Sequence, residues 1–219
     1  MQREFWLERW ANDEIGFHQA EVNPLLRCHW PQLDIDADAP VFVPLCGKSR
    51  DMCWLAEREH PVVGVELAEV AVRAFFEEAG QPFQIEHRAY HQLFLGGPYS
   101  IFVGDFMDLT AVELRGTAAV FDRGALVALP PRMRAHYADH LQRIIADGVQ
   151  ILLLTLEYEQ NRMKGPPHAV HADEVQALFG ERCRVELVER LHSAQLPPRF
   201  TAAGITEAAE AVYLIVKER

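Results

Sequence analysis

The chain has 219 residues, of which 49% are hydrophobic and 24% charged, and this balance predicts one globular domain rather than a disordered chain or a small disulfide-stabilised protein. Its 32 acidic residues outnumber its 21 basic ones, and the net charge of −11 argues against partners such as nucleic acids or anionic membranes. The first residues lack the apolar core of a signal peptide and the four cysteines lack metal or redox spacing, so we expect a cytoplasmic protein with reduced thiols.

Residues 1–39 predict a helical N-terminal extension that covers the functional site. One face of its first helix collects four large side chains, namely Phe5, Trp6, Arg9 and Trp10. A second helical stretch lies around Val22–Trp30. These helices either form a lid over the site or simply pack against the core, and the sequence leaves both interpretations open.

Strand and helix patterns alternate after residue 40. Val41–Leu45 is short, apolar and β-branched, Lys48–Glu59 has helical spacing, and Val62–Leu67 is again typical of a strand. A strand, helix and strand in this order predict two parallel, buried strands joined by a right-handed crossover.

The remaining segments continue the alternation. They are a helix over 70–79, a hairpin over 83–95, strands at 99–105 and 118–122, a helix from Pro130 and Pro131 to about 146, a strand at 150–156, a helix at 172–179 and strands near 185–191 and 211–216. Roughly seven strands with interleaved helices and an antiparallel ending predict an α/β three-layer sandwich, folded as a single domain over residues 1–219.

Two residues predict a ligand site at the carboxyl ends of the first strands, where open parallel sheets bind their ligands. Gly47 follows the first strand and permits close approach to a helix N-terminus. Glu66 ends the second strand about twenty residues later, where nucleoside-binding folds place an acceptor for ribose hydroxyls. The alternatives are a plain turn glycine and a solvated acid at the end of a strand.

Two further strand ends carry polar residues. Asp105 and Phe106 offer a purine a hydrogen-bond acceptor and an apolar face, although a turn aspartate beside a core phenylalanine is the alternative. Arg123 follows the next strand, where it can hold an anionic group or favour a thiolate, or else form a surface ion pair with Asp122 or another acid. A methyl acceptor would lie near Arg123 if the cofactor occupies the first three strand ends.

Missing motifs narrow the function. The chain has no phosphate-binding GxxxxGK[ST] loop and no GxGxxG, which favours a mononucleoside ligand such as S-adenosylmethionine over NAD. The ten histidines form no metal-binding pattern, so we expect no metal. A nicotinamide-dependent oxidoreductase and a non-catalytic small-molecule binding protein are the competing hypotheses.

Together these segments resemble the thiopurine S-methyltransferase family along almost the whole chain. The matching stretches are Phe5-Trp-x-x-x-Trp10, Ile15-Gly-Phe-His-Gln19, Val43-Pro-Leu-Cys-Gly-Lys-Ser49, Asp51-Met52, Trp54-Leu-Ala56, Val63-Gly-Val-Glu-Leu67, Gly104-Asp-Phe106, Phe121-Asp-Arg-Gly-Ala-Leu-Val-Ala-Leu-Pro130, Gly165-Pro-Pro167 and Glu174-Val-x-x-Leu-Phe-Gly180. The resemblance implies a Rossmann-like class I methyltransferase with a seven-stranded, mostly parallel sheet. It also implies S-adenosyl-L-methionine as methyl donor, S-adenosyl-L-homocysteine as product, and the sulfur of aromatic or heterocyclic thiols as acceptor.

The resemblance also assigns residues and substrates. By matched position, the cofactor would contact Trp10, Leu45, Gly47, Glu66, Asp105, Phe106 and Arg123. Arg123 and Arg199 would position the acceptor, with no dedicated base. Mammalian members carry a tryptophan where this chain has Ala202-Ala-Gly204, and bacterial members are associated with selenium and tellurium species, which leaves the natural acceptor open. We expect a monomer that acts on a small thiol or metalloid.

Overall fold

A computed structural model describes residues 3–218. Its helices are α1 (Arg3–Ala11), α2 (Pro24–His29), α3 (Arg50–Ala56), α4 (Glu69–Glu78), α5 (Pro131–Ile144), α6 (Ala172–Phe179) and α7 (Pro198–Ala202). Its strands are β1 (Val41–Val43), β2 (Val62–Glu66), β3 (Gln84–His87), β4 (Gln92–Gly96), β5 (Tyr99–Val103), β6 (Ala119–Arg123), β7 (Gln150–Tyr158), β8 (Cys183–His192) and β9 (Ala208–Lys217). No helix in this part of the chain combines the length and apolar character needed to cross a bilayer.

The strands form one sheet in the order β3-β4-β5-β2-β1-β6-β7-β9-β8. The five central strands, from β5 to β7, pair in parallel, whereas β9 and β8 close one edge in antiparallel orientation. The expected α/β architecture is therefore confirmed. The sheet has two strands more than the seven expected, because the β3–β4 hairpin adds to the free edge of β5 in antiparallel pairing.

Strand alternation sends side chains into a separate core on each face of the sheet. In β7, Ile151 and Leu153 pack into one core with Tyr137 of α5 and Phe179 of α6. Leu152 points into the other core, which also contains side chains of α2, α3 and α4 such as Leu26, Met52 and Phe75. Helices on both faces of a mostly parallel sheet give the three-layer sandwich predicted from the sequence.

The carboxyl end of the sheet is extended on one side. β7 continues to Tyr158 and β9 begins already at Ala208, so the two strands pair beyond the bounds that the apolar pattern predicts. Tyr158 packs against Phe200 with 5.1 Å between ring centroids, and this contact holds α7 beside the extension. α7 was not predicted. The extended strands and this short helix form one wall of the cavity described next.

Candidate active site

A cavity of about 780 Å³ opens at the carboxyl ends of the central strands. Ligand pockets commonly measure about 300–1,000 Å³, so its volume lies in the upper part of the range for small-molecule sites. The eight residues that the sequence singles out all line this cavity, namely Trp10, Leu45, Gly47, Glu66, Asp105, Phe106, Arg123 and Arg199. They come from elements spread over nearly the whole chain, and the sheet brings them together.

The turn after β1 has an unusual backbone. Gly47 adopts a φ of +53°, which glycine tolerates, but Leu45 adopts +46°, which a leucine adopts at a cost in conformational energy of order 1–3 kcal/mol. A Cβ at position 47 would stand 3.0 Å from Cζ2 of Trp10. The indole of Trp10 therefore lies against the glycine, and the turn is both strained and closely covered.

Glu66 organises that turn. One carboxylate oxygen accepts a hydrogen bond from the Gly47 N–H at 2.9 Å, and the other accepts one from the Ala68 N–H, also at 2.9 Å. The residue is only 7% exposed, and burial raises the pKa of its carboxyl group although these N–H groups partly oppose the shift. A solvated acid at the strand end does not describe this residue. Each oxygen keeps acceptor capacity for a ligand hydroxyl.

Asp105 and Phe106 follow β5. The Asp105 carboxylate accepts a hydrogen bond from the Met107 N–H at 2.9 Å and so caps a short 3₁₀ turn over 106–108. The Phe106 ring is buried against Tyr137, with 4.9 Å between centroids. The turn aspartate and core phenylalanine considered as the alternative are thus present, and both residues also line the cavity.

Arg123 is held by α3 rather than by Asp122. Its Nε donates to Asp51 at 2.7 Å and its Nη2 donates to the Ser49 hydroxyl at 2.9 Å. Asp51 is 1% exposed and also accepts a hydrogen bond from the Asn23 N–H at 2.8 Å. The Arg123 side chain keeps 17% exposure and lines the cavity. Two of its five N–H donors are used here, so the guanidinium is fixed in place with donors to spare.

Asp122 points to the opposite side of β6, so the acid that pairs with Arg123 is Asp51 and not Asp122. It accepts a hydrogen bond from the Tyr137 hydroxyl at 2.6 Å and another from the Leu126 N–H at 3.2 Å. Complete burial raises the pKa of its carboxyl group to about 6. The Asp122 carboxylate therefore fixes the turn that follows Arg123, from the side of the sheet opposite the Arg123 side chain.

The side of the cavity beyond Arg123 is more apolar. Pro166, Pro167 and Leu156 line it together with Arg199, the second residue of α7, whose guanidinium lies 5.5 Å from the centroid of the Phe200 ring. Glu210 of β9 also lines it. The sequence interpretation missed Glu210 because it began the last strand at Ala211, although a lone acid in the apolar run Ala208–Val216 is a visible signal.

The N-terminal segment contributes donors to the cavity. Trp6 and Arg9 line it, and the Nε1 of Trp6 and the Nε of Arg9 are buried without a hydrogen-bond partner among residues 3–218. Buried donors of this kind are costly unless a ligand or water satisfies them. Trp10 also packs on Ala71 of α4 and on Ala68 just before it, so covering the site and packing against the core occur together.

One cluster with the composition of a metal site lies elsewhere. Cys28, His29 and Glu189 bring their ligand atoms within 4.8 Å of one another. His29 and Glu189 already share a hydrogen bond of 2.6 Å, and the other His29 ring nitrogen is bonded to Gln32. Neither the three cluster residues nor Gln32 line the cavity.

Comparison with known proteins assigns the chain to a family. The family model for thiopurine S-methyltransferase matches residues 1–218. The chain belongs to the thiopurine S-methyltransferase family. Proteins named thiopurine S-methyltransferase from Nitrosospira multiformis and from Pseudomonas fluorescens strain Pf0-1 are each 46% identical to it, over 99% and 98% of the chain and 98% and 99% of the relative. A third, from Marinobacter nauticus, is 44% identical over 100% of both chains.

Solved structures show the same fold at low sequence identity. A SAM-dependent methyltransferase from Anabaena variabilis has a TM-score of 0.65 at 12% identity, covering 99% of this chain and 95% of that one. The Burkholderia thailandensis 1,6-didemethyltoxoflavin-N1-methyltransferase, solved with bound 1,6-didemethyltoxoflavin and S-adenosylhomocysteine, has a TM-score of 0.64 at 15% identity, covering 99% of this chain and 87% of that one. The chain is thus an S-adenosylmethionine-dependent methyltransferase of the thiopurine S-methyltransferase family, as the sequence predicts.

The residues present fit this cofactor. Gly47 and Trp10 both line the cavity beside the buried Glu66 carboxylate, which supplies acceptors for hydroxyl groups there. The unsatisfied donors on Trp6 and Arg9 can donate hydrogen bonds to the carboxylate in the amino-acid part of the cofactor. A mononucleoside needs no glycine-rich pyrophosphate loop, which agrees with the missing glycines.

Proposed function

We propose that this methyltransferase transfers the methyl group to the sulfur of aromatic and heterocyclic thiols, thiopurines included. The observation that carries the proposal is the anchored guanidinium of Arg123. It lies on β6, between the polar turns after β1, β2 and β5 and the more apolar wall formed by β7, β9 and α7. A fixed cation at the boundary of two compartments suits an acceptor that reacts as a thiolate.

The turn compartment would hold the cofactor. Gly47 and Leu45 would contact its amino-acid part, Glu66 would accept hydrogen bonds from its ribose, and Asp105 and Phe106 would flank its adenine. Trp10 would cover it from the N-terminal extension, residues 1–39, within a single domain over 1–219. The cofactor supplies an electrophilic methyl group on a sulfonium.

Positioning is the main contribution of the protein to the chemistry. The acceptor sulfur must approach the methyl carbon opposite the departing thioether, and correct alignment contributes about 7–11 kcal/mol to lowering the barrier. Arg123 and Arg199 stabilise the thiolate by charge, so more acceptor is in the reactive form at neutral pH. Aromatic and proline side chains around the acceptor exclude water, which strengthens both interactions.

The test is incubation with labelled S-adenosylmethionine and 6-mercaptopurine, followed by identification of the methylated product. S-methylation by the parent protein is expected. Arg123→Ala should lower turnover of the thiol by more than it lowers affinity for S-adenosylhomocysteine, because the guanidinium faces the acceptor. Binding of S-adenosylhomocysteine without transfer to any thiol would instead indicate a binding protein. Equal losses in the variant would assign Arg123 to the cofactor.

Selenium and tellurium species form a second acceptor class within the same proposal. Their soft, polarisable atoms suit an apolar cavity with a fixed cation. The same assay with selenite and tellurite under reducing conditions tests this class, and volatile methylated products are the expected result. We also propose a monomeric, cytoplasmic enzyme without a nucleic-acid partner, and sedimentation of the purified chain checks the first of these.

A further inference from the structure

Glu210 is a carboxylate without a partner in an apolar wall of the cavity. It lies in β9 directly opposite Leu156 of β7 and Leu191 of β8. Its neighbours on the same face along the strand are Ala208 and Val212. The side chain is half-buried and lines the cavity. Among residues 3–218 no ion pair or side-chain hydrogen bond satisfies it.

Such a group works against stability. Taking a carboxylate partly out of water costs free energy unless it is paired, and an apolar residue of similar size would cost less. Burial raises the pKa of the Glu210 carboxyl group, and the charge of Arg123 opposes that shift. An uncompensated acid that faces a cavity is typical of a group that a ligand satisfies.

Its place in the sheet assigns Glu210 to the acceptor compartment. From β1, which carries the Gly47 turn, to β9 the sheet order crosses β6 and β7. At about 4.8 Å per strand, this separation is about 14 Å. Arg123 on β6 lies between the two, about 10 Å from β9 by the same spacing. The cofactor turns and Glu210 therefore face the central cation from opposite sides.

We propose that Glu210 accepts the ring N–H of a heterocyclic thione and removes that proton as the sulfur is methylated. This proposal rests on the proposed function, since it concerns the acceptor of that reaction. Heterocyclic thiols such as 6-mercaptopurine carry an N–H beside a C=S bond in their thione form. A carboxylate at the N–H and a guanidinium at the sulfur match the two ends of that group.

The step balances in atoms and electrons. The N–H proton passes to a Glu210 carboxylate oxygen, and the electron pair of the N–H bond forms a C=N bond. The π pair of the C=S bond moves to sulfur. A sulfur electron pair forms the new S–CH₃ bond while the bond from the methyl carbon to the sulfonium breaks, with its pair remaining on the departing thioether. Glu210 then releases the proton to water.

The test compares an acceptor that has a ring N–H with one that has none. Glu210→Gln keeps the size and one acceptor oxygen but cannot take a proton. With 6-mercaptopurine, its kcat should fall about 10- to 100-fold, because general-base catalysis contributes about 10²–10⁴-fold and water can replace part of it. With benzenethiol, which has no ring nitrogen, kcat should change less than about 2-fold. Glu207→Gln is the matched control, because Glu207 is exposed, lies just before β9 and does not line the cavity.

Two readouts do not depend on turnover. The affinity of Glu210→Gln for S-adenosylhomocysteine, measured by calorimetry, should match that of the parent, and its Tm should be equal or higher because a half-buried charge is gone. Equal losses on both thiols, no loss on 6-mercaptopurine, or a lowered Tm would overturn the role of Glu210. If the parent methylates neither thiol, the proposed function fails first, and the two failures are distinguishable.

Discussion

Glu66→Gln tests whether the buried carboxylate that holds the turn after β1 also binds the cofactor. The parent side chain accepts two backbone hydrogen bonds of 2.9 Å, from Gly47 and from Ala68. A glutamine has one acceptor oxygen, so its amide N–H would face one of these N–H groups. In the proposed complex the ribose hydroxyls donate to the same carboxylate, and replacing a charged acceptor by a neutral amide forfeits a hydrogen bond worth about 1.5–3 kcal/mol.

We therefore expect the Kd for S-adenosylhomocysteine to rise about 10- to 150-fold, since 1.36 kcal/mol corresponds to a factor of ten. Global stability should change less, because the variant no longer buries a charge whose pKa is raised by desolvation. Isothermal titration measures the first quantity and urea unfolding the second. Glu69→Gln is the control, because Glu69 makes an exposed pair with Arg73. An unchanged Kd in Glu66→Gln would refute the assigned role of the carboxylate.

Three further variants probe the neighbouring contacts. Asp51→Ala should destabilise the fold by about 3 kcal/mol in urea unfolding, near the low end for a broken buried ion pair because Arg123 keeps 17% exposure. The KM of this variant for the thiol should rise, while its affinity for S-adenosylhomocysteine should stay nearly constant. Gly47→Ala places a methyl group 3.0 Å from Trp10 at a φ of +53°, so Tm and cofactor affinity should both fall, and a retained affinity would contradict the close cover. For Asp122, the native pKa of about 6 lies above the unfolded value of about 3.9, so the native state binds the proton more tightly and its stability declines as pH rises through that window, by about 3 kcal/mol. Asp122→Asn should remove that decline in unfolding experiments at pH 4 and pH 7, and parallel curves for the two proteins would be the contrary result.

The sequence predicts the central sheet well because its strands are short apolar runs with clear borders. Gln150–Leu156 and Val62–Leu67 both correspond to strands within two residues of their observed ends. α7 is different, because a five-residue helix that begins at the second of two prolines shows no helical period. Tertiary packing of Phe200 on Tyr158 stabilises this helix, and residues so far apart give no local signal.

In the candidate site, too, some features are predictable from the sequence and others are not. Gly47 and Glu66 are predictable because each follows or ends an apolar strand, and in the structure the Gly47 N–H donates a hydrogen bond to the Glu66 carboxylate. The partner of Arg123 is not visible, because Asp51 lies 72 positions earlier and a nearer acid, Asp122, competes as an interpretation. Chain proximity suggests the wrong partner here, since neighbours along a strand point to opposite faces.

The bond from the Asn23 main chain to Asp51 has a consequence for exchanging parts between family members. The donor is a backbone amide, so its identity does not depend on the side chain at position 23. A grafted N-terminal segment from a relative should keep Arg123 aligned where its residue at position 23 caps α2 as Asn23 does, by accepting a hydrogen bond from the Leu25 N–H, whereas proline would remove the donor. Chimaeras that change the reach or polarity of the first helix can therefore alter which molecules enter, while the reacting centre keeps its geometry.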